Sequence, residues 1–203
     1  MLTQTSRVSA ETTRRTLIEA TAEVIRQVGV SGLTTKEVAR AAGRSEGTIY
    51  NHFADKLALV EAVLRTYVDD LRASYEPLQP GAGEVTDQLG TLLSEQIEAR
   101  RRLLPIEAGL ISDPDLRERH RDMLNDAQKG PQLGHHRLAG YLRAEQELGR
   151  FPASRDPVAT AFALIAACRE ATFLELTIGA ERLPIPLADV PARIVAEVLS
   201  GGR

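Results

Sequence analysis

The chain has 203 residues, 43% of them hydrophobic and 26% charged, with one cysteine and a formal net charge of -3. That length suits one large domain or a small domain joined to a larger one, and the hydrophobic fraction is enough to bury a core. No apolar run reaches the length of a membrane span, nothing at the start reads as a secretory signal, and the lone Cys168 excludes an internal disulfide and a thiolate metal site; a cytoplasmic protein without membrane contact is expected. The charge is unevenly spread. Residues 1–56 carry eight Lys/Arg against six Asp/Glu, a balance of +2, and the remainder carries 17 against 22, a balance of -5. A mildly basic head on an acidic body is compatible with phosphate contacts at one end only.

In chain order, nearly every periodic stretch reads as helix, and the expected fold class is all-α. Residues 1–9, MLTQTSRVS, are polar and short and are expected to be a flexible arm. Thr12 to Val28 places Leu17, Thr21, Val24, Ile25 and Val28 on one face, with Gly29 as the stop. Thr34 with Glu37 three residues later has capping-box spacing, and the helix it opens ends at Gly43. Ser45 can cap a short helix to Phe53, with Ile49 and Phe53 as its buried side, and Asp55 can cap a fourth helix running to about Tyr75. EPLQPGAGE, residues 76–84, is the linker candidate. A helix from Val85 follows, which Pro105 is expected to break or bend; Asp113-Pro114 starts the next, and Gly130-Pro131 interrupts before a helix from Gln132 to Leu148. Asp156-Pro157 opens the most apolar helix, and a proline-rich turn leads to a last one containing Ile194, Val195, Val198 and Leu199.

The two short helices Thr35–Ala42 and Ser45–Phe53, joined by a glycine turn, make a helix-turn-helix candidate. Ala39 is small where the helices approach, and Gly43 permits a positive φ in the turn. The first turn of such a second helix meets base edges in the major groove. The segment LTTKEVARAAGRSEGTIYNHFADKLALVEAVL, residues 33–64, closely resembles the DNA-binding signature of the TetR family of transcriptional regulators. The helical body is similar to the family's in architecture only.

That resemblance implies a helix-turn-helix DNA-binding domain over residues 10–56, with the fourth helix, 56–75, as connector. A larger helical ligand-binding and dimerisation domain would then occupy 57–203. It implies a sequence-specific regulator, most commonly a repressor released from a palindromic operator in double-stranded DNA by a small-molecule effector. Thr35, Lys36, Ser45, Tyr50, His52 and Lys56 stand where the family contacts phosphates, each with a suitable donor. Glu46, Gly47, Thr48 and Asn51 stand where sequence is read: Asn can pair with adenine, Thr can touch a thymine methyl, and Glu can accept from cytosine. Arg44 departs from the pattern, which usually has an apolar residue there. Either its stem covers an apolar gap with the guanidinium in solvent, or the guanidinium reaches a phosphate or a guanine edge.

The alanine-rich helix from Pro157 could pair with the last helix in a four-helix bundle with a symmetry mate. Ala166, Glu170, Phe173, Ile194 and Val198 are the candidate homodimer contacts. An effector pocket is expected among the fourth to eighth helices, with Tyr67, Leu71, Leu93, Ile97, His120, Met123, Tyr141 and Phe162 as candidates. No nucleophile, phosphate-loop or zinc spacing is present, and the adjacent His135 and His136 diverge by about 100° on a helix. No enzyme activity, cofactor or metal is therefore expected. Two other readings stay open: a DNA-bound architectural or division-associated factor without an inducer, and a metal- or redox-responsive regulator acting through Cys168.

Overall fold

A computed structural model describes residues 4–124 and 132–200, with the side chains of Gln4–Arg7 and Met123 left aside. Residues 1–3 of the expected arm and the expected break at Gly130-Pro131 lie outside the described residues. The helices are α1 (Gln4–Gly32), α2 (Thr35–Ala42), α3 (Glu46–Tyr50), α4 (Lys56–Ala73), α5 (Val85–Ser112), α6 (Pro114–Leu124), α7 (Gln132–Glu147), α8 (Pro157–Ile178) and α9 (Val190–Ser200). Single 3-10 turns at Ala180–Arg182 and Leu187–Asp189 join the last two, and there is no strand among the described residues. The fold is all-α. None of the helices is long and apolar enough to cross a membrane.

The chain divides into two compact units, the described residues of Met1–Tyr67 with Arg102–Asn125, and those of Val68–Arg101 with Asp126–Arg203. The expected boundary at residue 56 therefore differs from the observed division. The first unit also takes most of α4, the end of α5 and all of α6, whose Leu59, Val60, Val63, Leu103, Ile106 and Leu116 are buried. Periodicity marks such faces as apolar but does not say which partner covers them.

In the first unit α1 is already helical at Gln4, so residues 4–9 are not the expected irregular arm. The hydroxyls of Thr12 and Thr13 donate to the carbonyls of Val8 and Ser9, both at 2.9 Å, keeping this polar stretch in helical register. Gly29, at φ 72°, interrupts the helix as expected, and Val30–Gly32 continue beyond it. Val30 then meets α5: a Cβ on Gly109 would stand 2.4 Å from Val30 Cγ2, so only glycine allows that approach. The α5 helix passes through Pro105 without ending, so the break that was one of the two expected outcomes does not occur.

The core of the second unit is built from Leu89, Leu92 and Leu93 of α5, Leu138 and Leu142 of α7, and Leu164, Ile165 and Cys168 of α8. Asp156 caps α8 by accepting from the amides of Val158 (2.7 Å) and Ala159 (3.1 Å), as the Asp-Pro start signal implied. Arg101 grips Glu175 of α8 with two hydrogen bonds, Nε to Oε2 at 2.7 Å and Nη2 to Oε1 at 2.6 Å. Its guanidinium is raised above its ordinary pKa, chiefly by those bonds. The buried Glu145 carboxylate accepts from the Gly81 amide (3.1 Å) and pairs with Arg150 Nε (3.1 Å), tying the 76–84 loop to α7.

Candidate nucleic-acid interface

The turn between α2 and α3 is a Schellman closure. Gly43 takes a left-handed φ of 62°, its amide donates to Arg40 O (3.2 Å) and the Arg44 amide donates to Ala39 O (2.9 Å). At the other end of α2 the Thr34 hydroxyl oxygen accepts from the Glu37 amide (3.2 Å) and donates to the Glu37 carboxylate (3.0 Å). This is half of the expected capping box, since the carboxylate returns to the hydroxyl instead of the backbone.

Ser45 caps α3, its Oγ accepting from the Thr48 amide at 3.2 Å and lying 3.0 Å from Thr48 Oγ1. The regular helix ends at Tyr50, shorter than expected, but Asn51 and Phe53 still donate to Gly47 O (3.2 Å) and Ile49 O (2.8 Å). Ile49 and Phe53 are buried and anchor this segment. The Arg14 guanidinium of α1 covers the Phe53 ring at 4.8 Å from its centroid. The next helix is fixed in turn: Asp55 Oδ1 accepts from the Ala58 amide (2.8 Å), and Arg119 of α6 donates to Asp55 Oδ2 (2.9 Å) and pairs through Nε with Glu61 Oε1 (2.8 Å). The Asp55 carboxyl is lowered below its ordinary pKa, first by the Ala58 amide and then by Arg119.

The expected DNA-contacting residues thus fall into two groups. Thr35 donates to Glu46 Oε2 at 3.1 Å across the turn, so Thr35, Glu46, Ser45 and Thr48 all have partners within the protein. Among the described residues, the side chains of Lys36, Arg44, Tyr50, Asn51, His52 and Lys56 have no hydrogen-bond or ion-pair partner. Arg44 is exposed and Tyr50 is 57% exposed. A Cβ added to Gly47 would meet nothing nearer than Ser45 Oγ at 3.7 Å, so no intramolecular crowding requires glycine there. Arg40 was missed by the sequence reading; it is exposed on α2 and, four residues after Lys36, shares its face. Arg14 and Arg119 were missed because their partners lie 39 and 64 residues away in sequence.

The eight effector-pocket candidates divide between the units. In the first, Tyr67 has the Arg102 guanidinium over its ring at 5.4 Å, and Met123 contributes only its place on α6. His120 is half-buried and held below its ordinary pKa by that burial, against the opposing pull of Glu61 and Glu107. In the second, Leu93, Ile97 and Tyr141 are buried, Leu71 is partly buried, and Phe162 is 65% exposed with its ring 5.5 Å from that of His135. Two surface grooves of the second unit, one beside Arg150 and Phe151 and one beside Gly90 and Ala192, contain none of the eight. Of the dimer candidates, Ala166, Glu170 and Phe173 are exposed on α8, while Ile194 and Val198 are partly buried against the core of their own unit. Cys168 is fully buried and its thiol is pushed up to about 12 by burial, so it carries little thiolate at neutral pH.

A capped two-helix turn, rigidly backed and presenting unpaired donors to solvent, defines a helix-turn-helix DNA-binding protein. The sequence profile described as "Bacterial regulatory proteins, tetR family" matches residues 17–63. The chain is 28% identical over 137 residues to YvkB, an HTH-type transcriptional regulator of Bacillus subtilis (strain 168), covering 68% of this chain and 69% of that protein. It is 46% identical over 59 residues to the HTH-type transcriptional regulator BetI of Escherichia coli O139:H28, but this spans only 29% of this chain and 30% of BetI. A crystal structure of a protein assigned to the TetR-family regulators, from Mesorhizobium loti MAFF303099, has the same fold, with TM-score 0.72, 21% identity, and coverage of 94% of this chain and 96% of that one. Residues 17–63 carry a TetR-family DNA-binding domain, and the chain as a whole is similar to DNA-binding transcriptional regulators.

Proposed function

We propose that the protein is a cytoplasmic homodimeric repressor that reads a palindromic operator through α2 and α3 and is released by a small-molecule effector. The observation that carries this reading is the segregation of polar groups around the turn. Four of them close the fold on itself, and Lys36, Arg44, Tyr50, Asn51, His52 and Lys56 find no hydrogen-bond or ion-pair partner among the described residues. Unpaired donors of this kind suit phosphate oxygens, and Asn51 with the bare backbone at Gly47 suits base edges. Arg44 follows the Schellman turn instead of lying on α3, which favours a backbone phosphate over a guanine.

Repression and ligand release fit a chain in which α4 contributes residues to both compact units. An effector lowers operator affinity only if it binds the DNA-incompetent arrangement more tightly. The test is a random-sequence selection with the purified protein at fixed salt, followed by a reporter driven by the enriched site. The expected product is a two-fold symmetric site whose reporter is silenced by the protein. Enrichment of no sequence ends the regulator reading, and an enriched site whose reporter is unaffected favours an architectural role.

A further inference from the structure

We propose that Arg100, Tyr75 and Gln96 form a site inside the second unit for the carboxylate head of a small organic acid. This deepens the effector reading given above and rests on it. The starting point is Arg100, which is only 8% exposed, has no hydrogen-bond or ion-pair partner among the described residues, and keeps a buried, unsatisfied Nε. A buried cation left unpaired is expensive, and the folded state recovers that cost only when an anion arrives.

Two further buried groups stand with it. Gln96 lies one turn earlier on α5 and is fully buried. Its Nε2 donates to Ser74 Oγ at 2.8 Å, while that hydroxyl donates to Leu71 O at 2.8 Å. Ser74 has thereby spent its proton, so the amide must present nitrogen to it, and Gln96 Oε1 is the atom left buried without a donor. Tyr75 is 7% exposed and directly follows Ser74, the residue that accepts from Gln96. A Cβ on Gly134 would come within 2.7 Å of the Tyr75 hydroxyl oxygen, so glycine there makes room for it. Arg100 lies near enough for its charge to act on both Tyr75 and Cys168.

The donor set defines the ligand. Arg100 offers a planar fork and Tyr75 an O–H, which suits a carboxylate; one unpaired positive charge matches a monoanion better than a doubly charged phosphate. Gln96 Oε1 accepts from a ligand hydroxyl or N–H. Leu93, Gln96, Ile97 and Arg100 fall at i, i+3, i+4 and i+7 on α5 and are all buried, so an apolar body beside Leu93 and Ile97 continues the head group.

The test uses the full-length protein with hexanoate and 2-hydroxyhexanoate, hexanamide and 1-hexanol as neutral counterparts, and inorganic phosphate, read by calorimetry and thermal shift. We expect the carboxylates to bind, the hydroxy acid more tightly, and Arg100→Met to lose about tenfold or more in affinity. Without ligand, Arg100→Met should melt at the same temperature or higher, because it removes an unpaired buried charge; an arginine with a structural role would give the opposite. Carboxylates that fail to bind, neutral or phosphate probes that bind as well, or an Arg100→Met protein that keeps carboxylate affinity each overturn the site. If Arg100→Met fails to fold, Tyr75→Phe decides: unchanged carboxylate affinity overturns the site, and a loss sustains it. Operator release is scored separately. Carboxylate binding without a change in operator affinity leaves the site standing and sinks the release mechanism, and release by another compound that persists in Arg100→Met does the reverse.

Discussion

At the scale of single residues, the helix-turn-helix separates groups that hold the fold from groups left for a partner, and substitutions can tell them apart. Gly47 sits in the first turn of α3 with ordinary space around its missing Cβ. Glycine costs about 1 kcal/mol of helix propensity against alanine. Gly47→Ala should therefore raise stability by up to about 1 kcal/mol in denaturant unfolding, and on the proposed reading it should weaken operator binding through contact of the methyl with the duplex. A destabilised variant with intact binding would mean that the glycine serves the fold. Arg44 gives the complementary case. Its side chain is exposed and has no hydrogen bond or ion pair among the described residues, so Arg44→Val should leave the melting temperature nearly unchanged. If it contacts a phosphate, affinity falls about evenly across sequences and the salt slope drops by roughly one. A loss of about 1–3 kcal/mol confined to one base pair would instead assign it to a guanine. The residues themselves were legible in the sequence, because capping and turn chemistry act over three or four positions. The Thr35–Glu46 bond was not, since it spans eleven residues and closes only once the turn has folded.

Between elements, the contacts that fix the DNA-binding head come from far along the chain. The close approach of Val30 to Gly109 leaves no room for a side chain on α5. Gly109→Ala should destabilise by about 1–3 kcal/mol, the usual cost of overpacking, and Val30→Ala in the same protein should recover much of it. Additive losses in that double-mutant cycle would show that the two residues do not collide. The Arg119 bridge to Asp55 and Glu61 makes a separate prediction in pH. The folded-state pKa of Asp55 lies below its ordinary value of 3.8. Its stabilising effect is therefore whole above 3.8 and disappears as pH falls through the lowered value. The stability gap between wild type and Asp55→Asn should thus be constant from pH 7 to about 5 and narrow below pH 4; a gap that persists at pH 2 assigns the loss to altered capping. Sequence periodicity found most helices and their stop signals. It overestimated α3 and missed the helical turns before Thr12, because period alone does not report which faces meet.

For the molecule as a whole, the apolar residues that remain exposed decide what must associate. Helix α8 is apolar around most of its circumference and buries one side, Leu164, Ile165, Cys168 and Ala171, in its own unit. The opposite side leaves Val158, Phe162, Phe173 and Leu176 exposed, with Ala159, Ala163 and Ala166 between them. At about 100° per residue these positions share one face of the helix as a stripe, which Arg169 and Glu170 interrupt between Ala166 and Phe173. Small residues in such a stripe let a second helix come close, and a two-fold axis lets the same stripe cover itself. The stripe therefore supports self-association through α8 more strongly than through Ile194 and Val198, which already pack against their own core. A single α3 segment offers few contacts for specific binding, so the proposed palindrome reading calls for a dimer. Phe173→Glu puts a carboxylate in the middle of the stripe beside Glu170 while removing nothing from the protomer's core, since Phe173 is 50% exposed. Sedimentation velocity should find the variant monomeric with helix content unchanged. Its affinity for the full palindrome should fall to that for a half-site. A variant that sediments as a dimer would place the interface elsewhere, and a monomeric variant with full palindrome affinity would remove the need for pairing on DNA.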